Sequence, residues 1–156
     1  MISDKAIIDK SSKLEFSTEV GPFSIIGREV KIGKNVKIHP NAVISGEPQD
    51  LKYKGEKTTT EIGDNTIIRE CVTVNRGTTY AWKTAVGKNC LLMAYAHVAH
   101  DCIIGNNVIL ANNCNLAGHI IIEDFVNIGG VSAVQQFVHS SSRIIVKSRA
   151  VELPAR

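Results

Sequence analysis

Three histidines and one aspartate in the second half of the chain have the residue types of an acid–base site. His97, His100 and Asp101 fall close together, and His119 directly follows Gly118. Histidine titrates near neutral pH, and a positioned base that takes a proton from an attacking hydroxyl contributes roughly 10²- to 10⁴-fold in rate. A backbone N–H aimed at an oxyanion adds on the order of 10² to 10³, and glycine lets a bulky reactant approach it closely. These residues therefore suit acyl transfer onto a hydroxyl group, with His100 as base and Gly118 as oxyanion donor.

Two other interpretations of the histidines remain open at this point. They could be ordinary surface residues of a repeat protein, although three histidines within 23 positions favour a shared role. They could also be zinc ligands at an interface between three subunits, as in the β-helical carbonic anhydrases. Their spacing differs from the pattern of that family, so we expect no metal and no other cofactor.

The elements that position these residues follow from a repeat of six. An α-helix needs apolar residues every three or four positions and a flat sheet needs strict alternation, so a period of six predicts short strands separated by corners. Hexapeptide repeats are a signature of parallel β-helices. The aliphatic ladder consists of Ile8, Leu14, Val20, Ile26, Ile32, Ile38, Ile44, Ile62, Ile68, Val74, Val86, Leu92, Val98, Ile104, Leu110, Leu116, Ile122, Ile128 and Val134.

Two further places in each hexad carry a preference. The residue after the ladder position is often glycine, which we interpret as a corner with unusual backbone angles; examples are Gly21, Gly27, Gly33, Gly63, Gly87, Gly105 and Gly129. The fourth residue after it is small or branched. Because Cys90, Cys102 and Cys114 occupy that place, we expect them to be compact core side chains and not reactive thiols.

Two segments interrupt the ladder and are predicted to leave the helix as external loops. Between residues 46 and 60 the ladder places fall on Asp50 and Glu56, which an aliphatic core does not tolerate unpaired. Between Val74 and Val86 the ladder place falls on Tyr80. Long loops in compact domains are uncommon unless they bind something, so both loops are candidates for function.

Length and composition fit one globular domain. The chain has 156 residues, of which 44% are hydrophobic and 21% charged, and these values indicate neither disorder nor a membrane protein. The net charge of +3 is too small to indicate nucleic-acid binding. Residues 1–12 contain no continuous apolar run, so we expect no signal peptide and a cytoplasmic location.

The hexads resemble those of the left-handed hexapeptide-repeat transferases. This resemblance implies an all-β fold, a left-handed parallel β-helix of hexapeptide repeats with two external loops and three hexads per coil. Residues 18 apart would then stack at roughly 4.8 Å. His100, Gly118 and Gln136 would form one column, and Asp101 would lie beneath His119.

Several longer sequence segments resemble one family, the UDP-N-acetylglucosamine O-acyltransferases that begin lipid A synthesis. They are QDLKYKGE at 49–56, IRECVTVNRG at 68–77, HVAHDC at 97–102, LANN at 110–113, LAGH at 116–119 and GGVSAVQQF at 129–137. The resemblance implies transfer of a 3-hydroxyacyl chain from acyl carrier protein to the 3-hydroxyl of UDP-N-acetylglucosamine. It also implies a homotrimer with active sites between subunits, and the weakly basic surface would suit an acidic carrier protein.

The same resemblance assigns roles to individual residues. His100 matches the general base and Gly118 the oxyanion donor, and Asp101 follows the base in its motif and is a candidate for orienting it. His119 matches a sugar contact. The remaining substrate-binding candidates are Gln49, Asp50 and Lys52 in the first loop, and His97 and Gln136 in the cleft.

Two departures from the family pattern affect these expectations. Gln135 stands where the family usually has histidine, and a glutamine cannot carry that charge. The aliphatic ladder stops at Val134, which predicts a β-helix domain over residues 1–138 and an irregular tail over 139–156. The family's further coils and helical C-terminal domain have no counterpart in the sequence, so a weak or inactive remnant, or another hexapeptide acyltransferase, stays an alternative.

Overall fold

The computed structural model describes residues 1–140 and 145–146, and within them the chain forms 21 short strands. Each strand holds two to four residues, and a corner follows almost every one. In chain order, β1 to β21 are Ile7–Ile8, Lys13–Leu14, Glu19–Val20, Ile25–Ile26, Val30–Ile32, Lys37–Ile38, Val43–Gly46, Thr59–Ile62, Ile67–Ile68, Thr73–Asn75, Lys83–Val86, Leu91–Leu92, His97–Val98, Ile103–Ile104, Ile109–Leu110, Asn115–Leu116, Ile121–Ile122, Asn127–Ile128, Ala133–Val134, His139–Ser140 and Ile145–Val146.

The strands form three parallel sheets of seven strands each, and successive strands pass from one sheet to the next. The first sheet contains β1, β4, β7, β10, β13, β16 and β19, and the other two have the same interval of three. Residues 18 apart are paired, as in Ile7 with Ile25 and His97 with Asn115. Three hexads therefore make one coil of a parallel β-helix.

The core is the interior of this coil. Ladder residues such as Leu92, Leu110 and Leu116 are fully buried, and so are the residues four places later, Ala96, Cys114 and Ile120. Cys90, Cys102 and Cys114 lie there as free, buried cysteines, as predicted. Burial raises the pKa of the Cys102 and Cys114 thiols to about 11, so these thiols stay protonated at neutral pH.

The predicted reason for the glycines after the ladder positions is wrong. Positive φ angles occur two residues further on, in residues such as Asn35, Asn107 and His119, with values from 54° to 63°. The glycines are needed for close packing between coils. A Cβ on Gly87 would lie 2.3 Å from the carbonyl oxygen of Gly105, a distance that no side chain can accept.

Both interruptions leave the coil as loops. Residues 47–58 lie between β7 and β8, and residues 76–82 lie between β10 and β11. Strand pairing continues across both loops, because Ile32 pairs with Ile62 and Val74 pairs with Val98. No helix in the described part of the chain is long and apolar enough to cross a membrane.

Strand pairing extends beyond the aliphatic ladder. His139 pairs with Ile121 in the second sheet, and β21 pairs with β18 in the third. Ser140 occupies a ladder place and is buried although it is polar. Both strands fall within the segment predicted as an irregular tail, and the rest of that segment lies outside the described residues.

Candidate functional site

The second loop, residues 76–82, folds onto the carboxylate of Asp101. The backbone N–H of Thr78 donates to Oδ1 at 2.8 Å, and that of Ala81 donates to the same oxygen at 3.1 Å. The Thr78 hydroxyl donates to Oδ2 at 2.5 Å. The Asp101 side chain is fully buried, so these donors replace the water that it has lost.

The carboxylate also holds the imidazole of His100. Nδ1 of His100 lies 2.9 Å from Oδ2 of Asp101, and both residues are buried. Burial alone would raise the pKa of Asp101, but the hydrogen bonds from Thr78, His100 and Ala81 together lower it. Asp101 is therefore an ionised partner that orients the ring of His100.

Gly118 lies one coil above His100, against its ring. A Cβ at Gly118 would lie 2.6 Å from Cε1 and 2.9 Å from Nε2 of His100, so only glycine leaves room for the imidazole. The N–H of Gly118 donates no hydrogen bond within the residues that the structure describes. The predicted column therefore brings an imidazole and an unengaged backbone donor together.

His119 belongs to the same cluster. Its Nδ1 lies 3.7 Å from Oδ2 of Asp101, which is too far for a hydrogen bond, and this nitrogen is buried without a hydrogen-bond partner in the described chain. Burial and the nearby His100 lower the pKa of His119, although Asp101 and Asp50 oppose the shift. The ring is therefore held mainly in its neutral form near pH 7.

His97 lies on β13, with its side chain on the outer face of the first sheet. Its Nδ1 is 2.7 Å from the hydroxyl oxygen of Thr73 on the neighbouring strand. Burial, assisted by the charge of His100, lowers the pKa of His97. His97 is thus a half-buried, neutral polar group near the cluster.

A cavity of about 320 Å³ connects the cluster with the first loop. Asp50 and Lys52 of that loop line it together with His119, as the sequence predicts for residues of one site. Its remaining lining residues are Tyr53, Glu56, Thr78, Thr79, Tyr80 and Phe137. The two interruptions of the ladder therefore meet at one concave surface.

Two predicted residues are not brought into this cluster. Gln49 and Gln136 are exposed and make no hydrogen bond to the other candidates in the described chain. Gln135 lines a separate cavity with Val134 and Val138. Their assignment to the site stays a prediction.

Sequence reasoning missed Thr78, Tyr80 and Phe137 as neighbours of the histidines. A signal existed for Phe137, because it lies 18 residues after His119 and therefore one coil above it. Tyr80 stood out only as a break in the ladder. Nothing in the repeat pattern indicated that Thr78 donates to Asp101.

His100, Asp101 and His119 each offer a possible metal-ligand atom within 4.8 Å of the others. Both carboxylate oxygens of Asp101 already accept hydrogen bonds from Thr78, and Oδ2 also contacts His100. A metal bound there would have to displace the proton shared by His100 and Asp101. The donor set favours a hydrogen-bonded acid–base network.

Comparison with known proteins agrees with this geometry. The family model for bacterial transferase hexapeptide (six repeats) matches residues 11–46 and 83–118. An acyl-(acyl-carrier-protein)–UDP-N-acetylglucosamine O-acyltransferase of Chlorobaculum parvum is 59% identical over 73 residues, which are 47% of this chain and 28% of that protein. The LpxA structure of Acinetobacter baumannii is 39% identical with a TM-score of 0.77, covering 93% of this chain and 66% of that one.

One further structure decides the family. LpxA of Bacteroides fragilis, a UDP-N-acetylglucosamine acyltransferase, is 37% identical with a TM-score of 0.59, and the match covers 93% of this chain and 70% of that one. The chain belongs to the UDP-N-acetylglucosamine acyltransferase family. Its coil is accordingly a left-handed parallel β-helix, as the resemblance to the hexapeptide-repeat transferases implies.

The chain is shorter than the members of this UDP-N-acetylglucosamine acyltransferase family that it matches. It spans about half the length, or less, of the curated relatives.

Proposed function

We propose that this chain is an O-acyltransferase that moves a 3-hydroxyacyl chain from acyl carrier protein to the 3-hydroxyl of UDP-N-acetylglucosamine, the first step of lipid A biosynthesis. The observation that carries the proposal is the arrangement of His100 between Asp101 and Gly118. A base held by a buried carboxylate stands beside an unengaged backbone N–H, and these are the two groups that acyl transfer to a hydroxyl requires.

In the proposed reaction, Nδ1–H of His100 donates to Asp101, which leaves Nε2 to accept the proton of the sugar hydroxyl. The hydroxyl oxygen bonds to the thioester carbonyl carbon, and the N–H of Gly118 donates to the resulting oxyanion. The C–S bond then breaks, and the departing thiolate takes the proton back from Nε2. The products are an ester and the thiol of the carrier.

Binding of the nucleotide sugar is assigned to the cavity and its loop. Asp50 and Lys52 supply charged groups there, and His119 supplies a polar edge. Gln49, His97 and Gln136 complete the proposed substrate-binding set by resemblance to the family. We propose no cofactor and no nucleic-acid partner.

The assembly and location are proposed by family resemblance as well. A cytoplasmic homotrimer would place each cavity opposite a neighbouring subunit. The net charge of +3 is compatible with docking of an acidic carrier protein. Analytical ultracentrifugation of the full chain tests the trimer.

A second candidate function is that of a β-helix that folds and assembles with weak or no turnover. The alignments to the curated relatives span half or less of their length. A third candidate is another hexapeptide acyltransferase. Such an enzyme would not be expected to share the loop sequence at 49–56.

One assay separates these candidates. The purified chain is incubated with 3-hydroxyacyl carrier protein and UDP-N-acetylglucosamine, and the product is analysed by mass spectrometry and alkaline hydrolysis. An ester on the sugar supports the proposal, whereas an amide or a different acceptor supports another acyltransferase. No product together with no binding of the nucleotide sugar in a calorimetric titration contradicts the proposal and favours the inactive β-helix.

A further inference from the structure

The imidazole of His119 is enclosed by three other rings. Phe137 stacks on it with parallel planes and a centroid distance of 4.5 Å. Tyr80 meets it edge to face at 4.5 Å, and His100 does the same at 4.9 Å. Tyr80 and Phe137 also contact each other, with their centroids 6.2 Å apart.

The coil and the loop supply these rings independently. His119 and Phe137 occupy equivalent corners of successive coils, both with a φ of 63°, so the register places one ring above the other. Tyr80 comes from the second loop, whose position is fixed by the hydrogen bonds from Thr78 and Ala81 to Asp101. Two separate parts of the chain therefore converge on one imidazole.

We propose that Phe137 is a positioning residue that fixes the plane of the His119 imidazole at the cavity, with Tyr80 closing the edge of the ring. The structural part of this proposal depends only on the ring contacts. Its consequence for turnover rests on the proposed function, in which His119 contacts the sugar.

Hydrogen bonding does not hold this ring, which is why stacking matters. Nδ1 of His119 is buried and has no hydrogen-bond partner in the described residues. A neutral imidazole without a fixed donor or acceptor would otherwise rotate about its side-chain bonds. Parallel stacking on Phe137 restricts that rotation, and the phenyl ring also excludes water from one face.

The electrostatic surroundings support the same assignment. The charged and titratable groups around His119 are Asp101, His100 and Asp50, and the cavity adds Lys52, Glu56, Tyr53 and Tyr80. Burial is the main cause that lowers the pKa of His119. Removal of Phe137 would admit water to the ring and raise this pKa toward the ordinary value of about 6.5.

The chain offers a matched control. Phe125 also occupies a left-handed corner with a φ of 63°, and it is 62% exposed, against 63% for Phe137. It has no ring contact with His119 among the described residues. Phe125→Ala therefore removes the same side chain from the same type of corner without touching the imidazole.

The test compares Phe137→Ala, Phe137→Tyr and Phe125→Ala with the parent chain. The His119 ring is titrated by NMR, with its signal assigned by its loss in His119→Asn, and kcat and KM are measured across pH. We expect Phe137→Ala to raise the His119 midpoint and to reduce kcat/KM by roughly threefold to tenfold, the size of an aromatic contact. Phe137→Tyr should restore both properties, and Phe125→Ala should change neither.

Equal His119 midpoints in Phe137→Ala and Phe125→Ala would overturn the proposal. If the parent chain shows no turnover, the proposed function fails, but the NMR titration still tests the role of Phe137. A shifted midpoint with unchanged kcat/KM would refute its role in the reaction.

Discussion

His100 and Asp101 are adjacent in the sequence, and Nδ1 of the one lies 2.9 Å from Oδ2 of the other. Adjacent side chains rarely meet in an extended strand, where they point to opposite faces. Here β13 ends at Val98, and the corner that follows gives Asp101 a φ of 59°. The corner therefore turns the carboxylate back toward the ring, and the consequences of this geometry can be measured.

Replacement of His100 by alanine should remove the proposed base. We expect turnover to fall by roughly 10²- to 10⁴-fold, the range of positioned base catalysis. The assay is acyl transfer from the carrier thioester, with circular dichroism to verify folding. His39→Ala is the control, because His39 is also paired with a carboxylate, that of Glu70, but on the outer surface. Similar activity of His100→Ala and the parent would remove His100 from the mechanism.

Replacement of Gly118 by alanine should displace the His100 ring, because the new methyl group would lie 2.6 Å from Cε1. We expect kcat to fall by on the order of 10²-fold, which is the typical effect of losing one correctly placed oxyanion donor. Gly130 has the same place in its hexad, and its Cβ would meet its nearest neighbour, the carbonyl oxygen of Asn112, at 3.1 Å. Gly130→Ala should therefore stay close to parent activity, and equal kcat values in both variants would contradict the proposed contact.

Replacement of Thr78 by valine removes the hydroxyl donor to Asp101 and should destabilise the chain at neutral pH by about 1.5–3 kcal/mol. A carboxyl whose pKa is lower in the folded chain stabilises the fold above its unfolded value of about 3.9, and this contribution is lost as the pH falls through the folded value. The difference between variant and parent should therefore be largest near neutral pH and shrink below about pH 4.

Urea unfolding across this pH range measures the effect. Thr79→Val is the control, because Thr79 is the exposed neighbour and does not contact Asp101 in the described chain. A difference in stability that is independent of pH would show that the Thr78 hydroxyl does not act through the charge of Asp101.

Replacement of Arg28 by alanine should release the first loop. Nη2 of Arg28 donates to the hydroxyl of Tyr53 and to the carbonyl of Gly55, and Tyr53 in turn donates to the carbonyl of Glu56. We expect trypsin to cut after Lys52 and Lys54 about tenfold faster, which corresponds to roughly 1.4 kcal/mol of lost anchoring. Lys31→Ala removes a cation that pairs with Glu61 and should leave the cleavage rate unchanged. Equal rates in the two variants would contradict the anchoring role.

Much of the fold could be predicted because the hexad is a strictly local rule. Each ladder residue faces inward for the same steric reason. With the three-hexad coil that the family resemblance implies, the 18-residue register and the position of Gly118 above His100 follow by counting. The role of the glycines could not be obtained this way. Their constraint comes from the backbone of the next coil, as at Gly87 beneath Gly105, and not from their own φ.

The paths of the two loops could not be predicted from the repeat. Charged residues at ladder places showed that the chain leaves the coil, but no period describes its path outside. The contact of Thr78 with Asp101 is therefore visible only in the structure. The aliphatic ladder also predicts the end of the β-helix too early. Ser140 breaks the ladder, but it still pairs with the neighbouring strand through its backbone.

The corner three residues after each ladder position explains how this architecture carries chemistry. Asparagine tolerates the left-handed region and fills it at Asn35, Asn65 and Asn107, whereas Phe137 adopts it at a conformational cost of about 1–3 kcal/mol. The corner side chains are not part of the aliphatic interior, so a change of residue there alters reactivity without repacking the core. Corner positions can thus accept different side chains. The stability lost at a corner that carries a functional side chain can be regained at a corner without one, such as Val131, where asparagine or glycine would relieve the backbone strain.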